Sequence, residues 1–171
     1  MRRAAGSNEA GRAFGLDVRL HAADWALHDL AGTLDALLER TVFGCSAQEW
    51  LTIADRAGLD DWSSRSGSIA ARVLGKLQDN GWEEIGAVEP AFLPTLPDAG
   101  LDARFQAPDS DDFIAQPDWH GQPRETTPLA RQQDVPLIRS LLDSGGAGLL
   151  SRLAALLVEL AGMPERVRDL S

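Results

Sequence analysis

Eight of the nine prolines in this 171-residue chain fall between Pro90 and Pro136. A proline has no backbone N–H, and its ring collides with the preceding turn, so a stretch this rich in proline holds no long helix. The chain is thereby divided. Before Pro90 and after Pro136, Leu and Ala recur at helical spacing, and only these flanks supply long helices. The reading is a mainly α protein with a small β element, in four segments. Residues 1–15, rich in Gly, Ala and Arg, form a flexible N-terminal tail. Residues 16–96 form a helical module and residues 97–135 a Pro/Asp-rich belt or linker. Residues 136–171 form a C-terminal helical segment that packs on the module or on a second subunit.

Charge narrows the classes of partner. The formal net charge is -10, with Lys76 the only lysine. A protein this acidic is repelled by phosphate backbones and anionic lipid unless its bases cluster, which argues against non-specific coating of nucleic acid. Cys45 is the only cysteine, which excludes an intrachain disulfide and a multi-Cys zinc site and fits a reducing cytoplasm. The N-terminal "MRRAAGSNEAGR" lacks the apolar stretch of a secretory signal. The most apolar run, Leu149 to Ala161, falls short of a bilayer span and contains Arg152 and Glu159. A cytoplasmic protein without membrane contact is expected.

The helical flanks carry their own punctuation. Leu27, Leu30, Leu34, Leu37 and Leu38 predict an amphipathic helix over Asp24 to Arg40. Ser46 and Glu49 form a capping box, which predicts a second helix from Ala47 to Ala57, closed by Gly58 and Leu59. "DDWSSRSG" reads as a polar turn. Ser66 or Ser68 then caps a third helix with a buried stripe of Ile69, Val73, Leu74 and Leu77, stopped by Asn80-Gly81. Trp82 to Val88 reads as a short strand and Ala91 to Leu96 as a second. In the Pro-rich segment Phe105, Phe113, Ile114 and Trp119 are spaced as anchors for a belt. Leu137 to Leu142 and Leu149 to Ala161 predict a C-terminal helical hairpin broken at "SGGAG", with Pro164 opening a last turn. The second hairpin helix is apolar on nearly every side, so it is either the central helix of the domain or a subunit interface.

Helix, capped helix, turn, helix and an "NGW" strand follow the order of a winged helix, whose third helix reads the major groove. Arg72 and Lys76 share one face of that helix, assigned opposite Ile69, Val73 and Leu77. Arg65 and Ser68 stand at its N-terminus, where hydroxyls and free N–H groups suit a phosphate. Ala54 to Leu59, Trp62 to Arg65 and Leu77 to Trp82 together resemble the small C-terminal module of the virulence-associated E family of phage and plasmid replication proteins. The resemblance covers residues 46–84 and implies a winged helix that binds DNA in a bacterial mobile element. No P-loop or primase signature accompanies it, so the family's ATPase activity does not carry over.

Local charge pulls the other way. The basic Arg56, Arg65, Arg72 and Lys76 are matched by Glu49, Asp55, Asp60, Asp61 and Asp79, and Glu83 and Glu84 follow at once. A second reading is an acidic module, such as an antitoxin, an immunity protein or an inhibitor of a nucleic-acid enzyme. Asp109, Asp111, Asp112, Phe113 and Trp119 would cover a basic partner site in this reading. His21 and His28, seven residues apart, do not make a usual zinc chelate. Asp118 and His120 lack a nucleophile to serve. Cys45, ahead of a helix N-terminus, is either reactive there or a small semi-buried packing residue. The expectation is a non-enzymatic, regulatory protein with no cofactor, no metal and no catalytic residue, whose partner is DNA or a basic protein. A homodimer through the C-terminal helices is the expected assembly.

Overall fold

The computed structural model describes residues 24–169, so the expected N-terminal tail and His21 lie outside the described residues. Among the described residues the protein is mainly helical with one two-stranded antiparallel sheet. Helix α1, Asp24–Leu38, continues as a π-helical segment, Glu39–Phe43. Gly44, in the left-handed conformation at φ 69°, closes it. A π-helical end leaves its last carbonyl free, and here the carbonyl of Phe43 accepts from Trp62 Nε1 (3.1 Å) and from Ser66 Oγ (3.2 Å). Phe43, Trp50 and Trp62 cluster around that point, Phe43 tilted against Trp50 at 4.9 Å between ring centroids and Trp62 edge-on to Trp50 at 5.8 Å.

The capping box forms on its serine side: Ser46 Oγ accepts the Glu49 N–H at 3.1 Å. The helix it starts, α2, is only Ala47–Trp50, not the run to Ala57 that the sequence predicts. Thr52 Oγ1 donates to the carbonyl of Glu49 (2.7 Å) and helps to end it. Asp55 then opens a new helix, α3, Arg56–Arg65, by accepting the Gly58 N–H at 2.8 Å. "DDWSSR", read as a turn, is therefore helical, and Gly58 belongs to a first turn rather than a last one. The Asp55 carboxylate thus caps a new start where the sequence reading placed a glycine stop.

Helix α4, Ile69–Asp79, begins as expected, with Ser68 Oγ accepting the Ala71 N–H (3.3 Å), and ends at Gly81, φ 65°. Its buried side is Ala70, Ala71, Leu74 and Leu77, while Ile69 and Val73 are about half exposed. The stripe is rotated because α4 packs on α3 and the π-helical segment, and small alanines permit that closeness.

No strand follows α4. Residues 82–88 are turns, closed by Ile85 N–H to Trp82 and Ala87 N–H to Glu84. Their anchor is elsewhere: the carbonyl of Glu83 accepts the Leu150 N–H (3.0 Å) at the start of the last helix. The expected second strand, Ala91 to Leu96, is reduced to a single parallel bridge between Phe92 and Glu125.

The Pro-rich segment is built of short pieces: α5, Asp98–Phe105; α6, Ser110–Ala115; strands β1, Asp118–Trp119, and β2, Gln122–Pro123; and α7, Pro128–Gln132. β1 and β2 pair Asp118 with Pro123 and Trp119 with Gln122 around His120-Gly121, both at positive φ, as a two-residue type I′ hairpin loop requires. Of the expected belt anchors, Phe113 is buried, Trp119 half-buried, and Phe105 and Ile114 mostly exposed.

Helices α8, Pro136–Gly145, and α9, Leu149–Arg168, form the C-terminal hairpin. α9 continues through Pro164, which lies inside the helix and does not open a separate last turn. It packs on α1, α2, α4, α7 and α8, and its inner residues Leu150, Ala154, Leu157, Val158 and Ala161 join one core with Phe43, Trp50, Leu74 and Ile138. It is thus the central helix of the domain.

The turn at 82–88 meets α9 with no room to spare. A Cβ on Gly148 would lie 2.6 Å from the carbonyl oxygen of Glu83 and 2.9 Å from Glu84 Cα. Gly148 sits at φ -81°, which alanine tolerates, so the obstacle is steric. Gly148→Ala is expected to cost roughly 1–3 kcal/mol in urea unfolding. Gly145→Ala, which meets nothing within 4 Å, is the matched control and should stay near neutral or slightly stabilise.

Candidate interaction surfaces

Two surfaces collect the residues singled out by sequence. The first is the outer face of α4. Arg72 and Lys76 are exposed, with no ion pair among the described residues. They do not stand opposite Ile69 and Val73, as expected; all four occupy one exposed face at helical spacing. Arg65 is committed to Asp61, its Nε donating to Oδ1 at 3.0 Å and a terminal nitrogen pairing with the other oxygen. Ser68 is buried and its hydroxyl oxygen serves the α4 cap, so it does not offer a free phosphate ligand. Glu83 pairs with Arg56. The groups assembled for a phosphate contact are thus reduced to two cations among aliphatic side chains.

The second surface is the α5–α6 pair. Arg104 organises it: its guanidinium lies 4.4 Å from the centroid of the Phe113 ring and pairs with Asp109 (3.3 Å) and Asp118 (3.5 Å). Phe105 packs edge-on to Phe113 at 6.4 Å. Phe113 is therefore the hub of a small satellite cluster and is not available to a partner. Trp119 is half-buried and leans on His120 (4.7 Å). Asp111 and Asp112 remain exposed, and Asp98 and Asp102 join them; none of the four has an ion pair among the described residues. Asp98, Asp102 and Phe105 share a face of α5, and Asp111 and Ile114 a face of α6. Asp98, Asp102 and Phe105 were not in the sequence-derived acidic site, and a helical reading of residues 98–105 would have found them.

The remaining candidates lack supporting chemistry. Cys45 borders a cleft of about 840 Å³ that also touches Glu49, Asp55 and Asp61. Burial, and then the Glu49 carboxylate, push its thiol up, away from the thiolate form. Asp118 spends its carboxylate on the Gly121 N–H (3.2 Å) and on Arg104, not on His120. Among the described residues no three His, Cys, Asp or Glu side chains gather as a metal site, and no helix is long and apolar enough to cross a membrane.

Glu125 joins the Pro-rich segment to the core. Its backbone exchanges hydrogen bonds with Ala91 (2.8 Å) and Leu93 (3.0 Å), and its carboxylate grips the Arg152 guanidinium of α9, one contact at 3.0 Å. The hydrogen bond from Arg152 is the largest influence holding the Glu125 carboxyl below its ordinary range.

No protein-family model, curated protein or solved structure gives a significant match to this chain.

A carboxyl whose pKa is depressed on folding adds stability above its unfolded value and loses it as pH falls through the folded one. Acidification below the ordinary glutamate range, about pH 4.3, should therefore loosen the Glu125–Arg152 clasp. Glu125→Gln should flatten that part of the stability–pH curve, with little change in slope above pH 6. Urea midpoints across pH, and amide exchange over residues 91–93, measure it.

Proposed function

We propose that this chain is a non-enzymatic, acidic protein-interaction module that acts in the cytoplasm by covering a basic surface of a partner protein. The observation that carries this reading is the α5–α6 surface: unpaired carboxylates at Asp98, Asp102, Asp111 and Asp112, set beside the exposed Phe105 and Ile114. Unpaired surface charge steers a complementary partner and sets orientation, while exposed apolar side chains among it supply desolvation energy on contact. The net charge of -10 adds long-range attraction for a cationic surface and repulsion for polyanions. An antitoxin, an immunity protein, or an inhibitor that occupies the phosphate track of a nucleic-acid enzyme would use such a surface.

A DNA-binding role in a mobile element is the second reading, favoured by one observation: Arg72 and Lys76 are exposed and unpaired on α4. Against it stand the engagement of Arg65 with Asp61, the burial of Ser68 and the turns where a wing would begin.

One pair of titrations separates them. A fluorescent helical peptide bearing Arg and Leu on one face should bind, weaken at least several-fold as salt rises, and lose binding to the Asp102→Asn/Asp111→Asn/Asp112→Asn variant. A short DNA duplex at low salt should not be retarded. Retardation that disappears on Arg72→Ala and Lys76→Ala would instead establish the second reading. Peptide binding unchanged in the triple variant would remove the α5–α6 surface from the first.

A further inference from the structure

Two exposed helix faces of this chain carry matching rows. The α4 row is Ile69, Arg72, Val73 and Lys76, and the α5 row is Asp98, Leu101, Asp102 and Phe105. Both follow the same spacing, a first residue and then those three, four and seven places on, so each lies along one side of its helix. Leu101 is half-buried and the other seven are exposed, so neither row covers the other within the chain. Each spans two turns, about 10 Å at a rise of about 1.5 Å per residue.

The order of chemistry along the rows decides how they fit. Laid antiparallel, Ile69 stands against Phe105, Arg72 against Asp102, Val73 against Leu101 and Lys76 against Asp98. Apolar meets apolar and cation meets carboxylate at every position. Laid parallel, Ile69 meets Asp98, Arg72 meets Leu101, Val73 meets Asp102 and Lys76 meets Phe105, and every position mismatches. Asp79, exposed in the last turn of α4, falls beyond Asp98 and outside α5. Arg72, Lys76, Asp98 and Asp102 have no ion pair among the described residues, so all four charges are available to the contact.

We propose that the α4 face of one copy of this chain docks antiparallel on the α5 face of a second copy. The complementary charge and apolar order that select this occupant are both carried by the chain itself. Because the two faces differ, a copy bound through one still offers the other. Two turns of helix on each side bury less than about 1,200 Å², the size of a transient contact, and the net charge of -10 opposes the approach at long range. The association is therefore weak and reversible, with a dissociation constant on the order of 100 µM. It does not rest on a basic partner protein or on DNA. Where a basic partner also uses the α5–α6 surface, it and the second copy exclude one another.

Sedimentation equilibrium on the full chain, from about 1 to about 500 µM, tests this. The average mass should rise with concentration above that of one chain. Arg72→Glu/Lys76→Glu and Asp98→Lys/Asp102→Lys should each weaken the association at least about tenfold, with unchanged circular dichroism spectra. The second variant lowers the net negative charge, so a general charge effect would strengthen its association instead. Mixed in equal amounts, the two variants should associate again, because one offers two acidic rows and the other two basic rows. The lighter exchange, Arg72→Glu with Asp102→Arg, repeats the test if a double variant folds poorly. A wild-type chain that stays monomeric throughout overturns the proposal. So does association that persists in either reversed variant alone, or a mixture of the two that stays monomeric.

Discussion

Burial of the inner face of α9 is the constraint on which the other elements depend. Ala154 and Ala155 are fully buried, and Leu157, Val158 and Ala161 nearly so. Small side chains at the closest approach let α1, α7 and α8 come near the helix axis, while the leucines fill the space between them. Apolar area removed from water contributes about 25 cal/mol per Å², so the buried face of this twenty-residue helix is a large source of the fold's stability. The hairpin partner α8 contributes Leu137, Ile138 and Leu141 to the same interior, and α7 contributes Leu129.

Around that helix, polar contacts fix positions more than they add energy. The Phe43 carbonyl, freed at the end of a π-helical turn, is claimed by Trp62 and Ser66, which locks α1 against α3. The Glu83 carbonyl is claimed by the first turn of α9, and Gly148 makes the approach sterically feasible. Glu125 does the same for the proline-rich segment through Arg152. Each contact satisfies a group whose burial without a partner would be costly, and each joins residues distant in sequence. The surface is divided by charge as a result: arginines are largely consumed in intrachain pairs, and carboxylates are in excess on α5 and α6.

Much of the local structure was legible in the chain. The serine caps at Ser46 and Ser68, the stop at Gly81, the C-terminal hairpin and the absence of long helices between Pro90 and Pro136 all follow from backbone chemistry within a few residues. The errors share one cause. Ile69 and Val73 fit a buried stripe as well as Ala70 and Ala71 do, and helical spacing alone does not choose between two adjacent faces. Asp55 and Gly58 both punctuate helices, and only packing of Trp62 on Trp50 and Phe43 selects the start over the stop. The candidate surfaces were half legible: Asp111, Asp112, Arg72 and Lys76 are exposed, but Arg65, Ser68 and Phe113 had structural employment that composition does not reveal.

What the sequence determined by itself is helical content, the caps, the division by proline and the acidic charge, because these rest on local backbone chemistry and simple counting. Tertiary structure alone decided which side of each helix is dry, that residues 82–88 are turns and not a strand, and which charges remain free. A strand needs a partner, a buried stripe needs a neighbour and an ion pair needs a second residue. For this chain those partners come from far along the sequence: Leu150 for Glu83, Arg152 for Glu125 and Glu159 for Arg131.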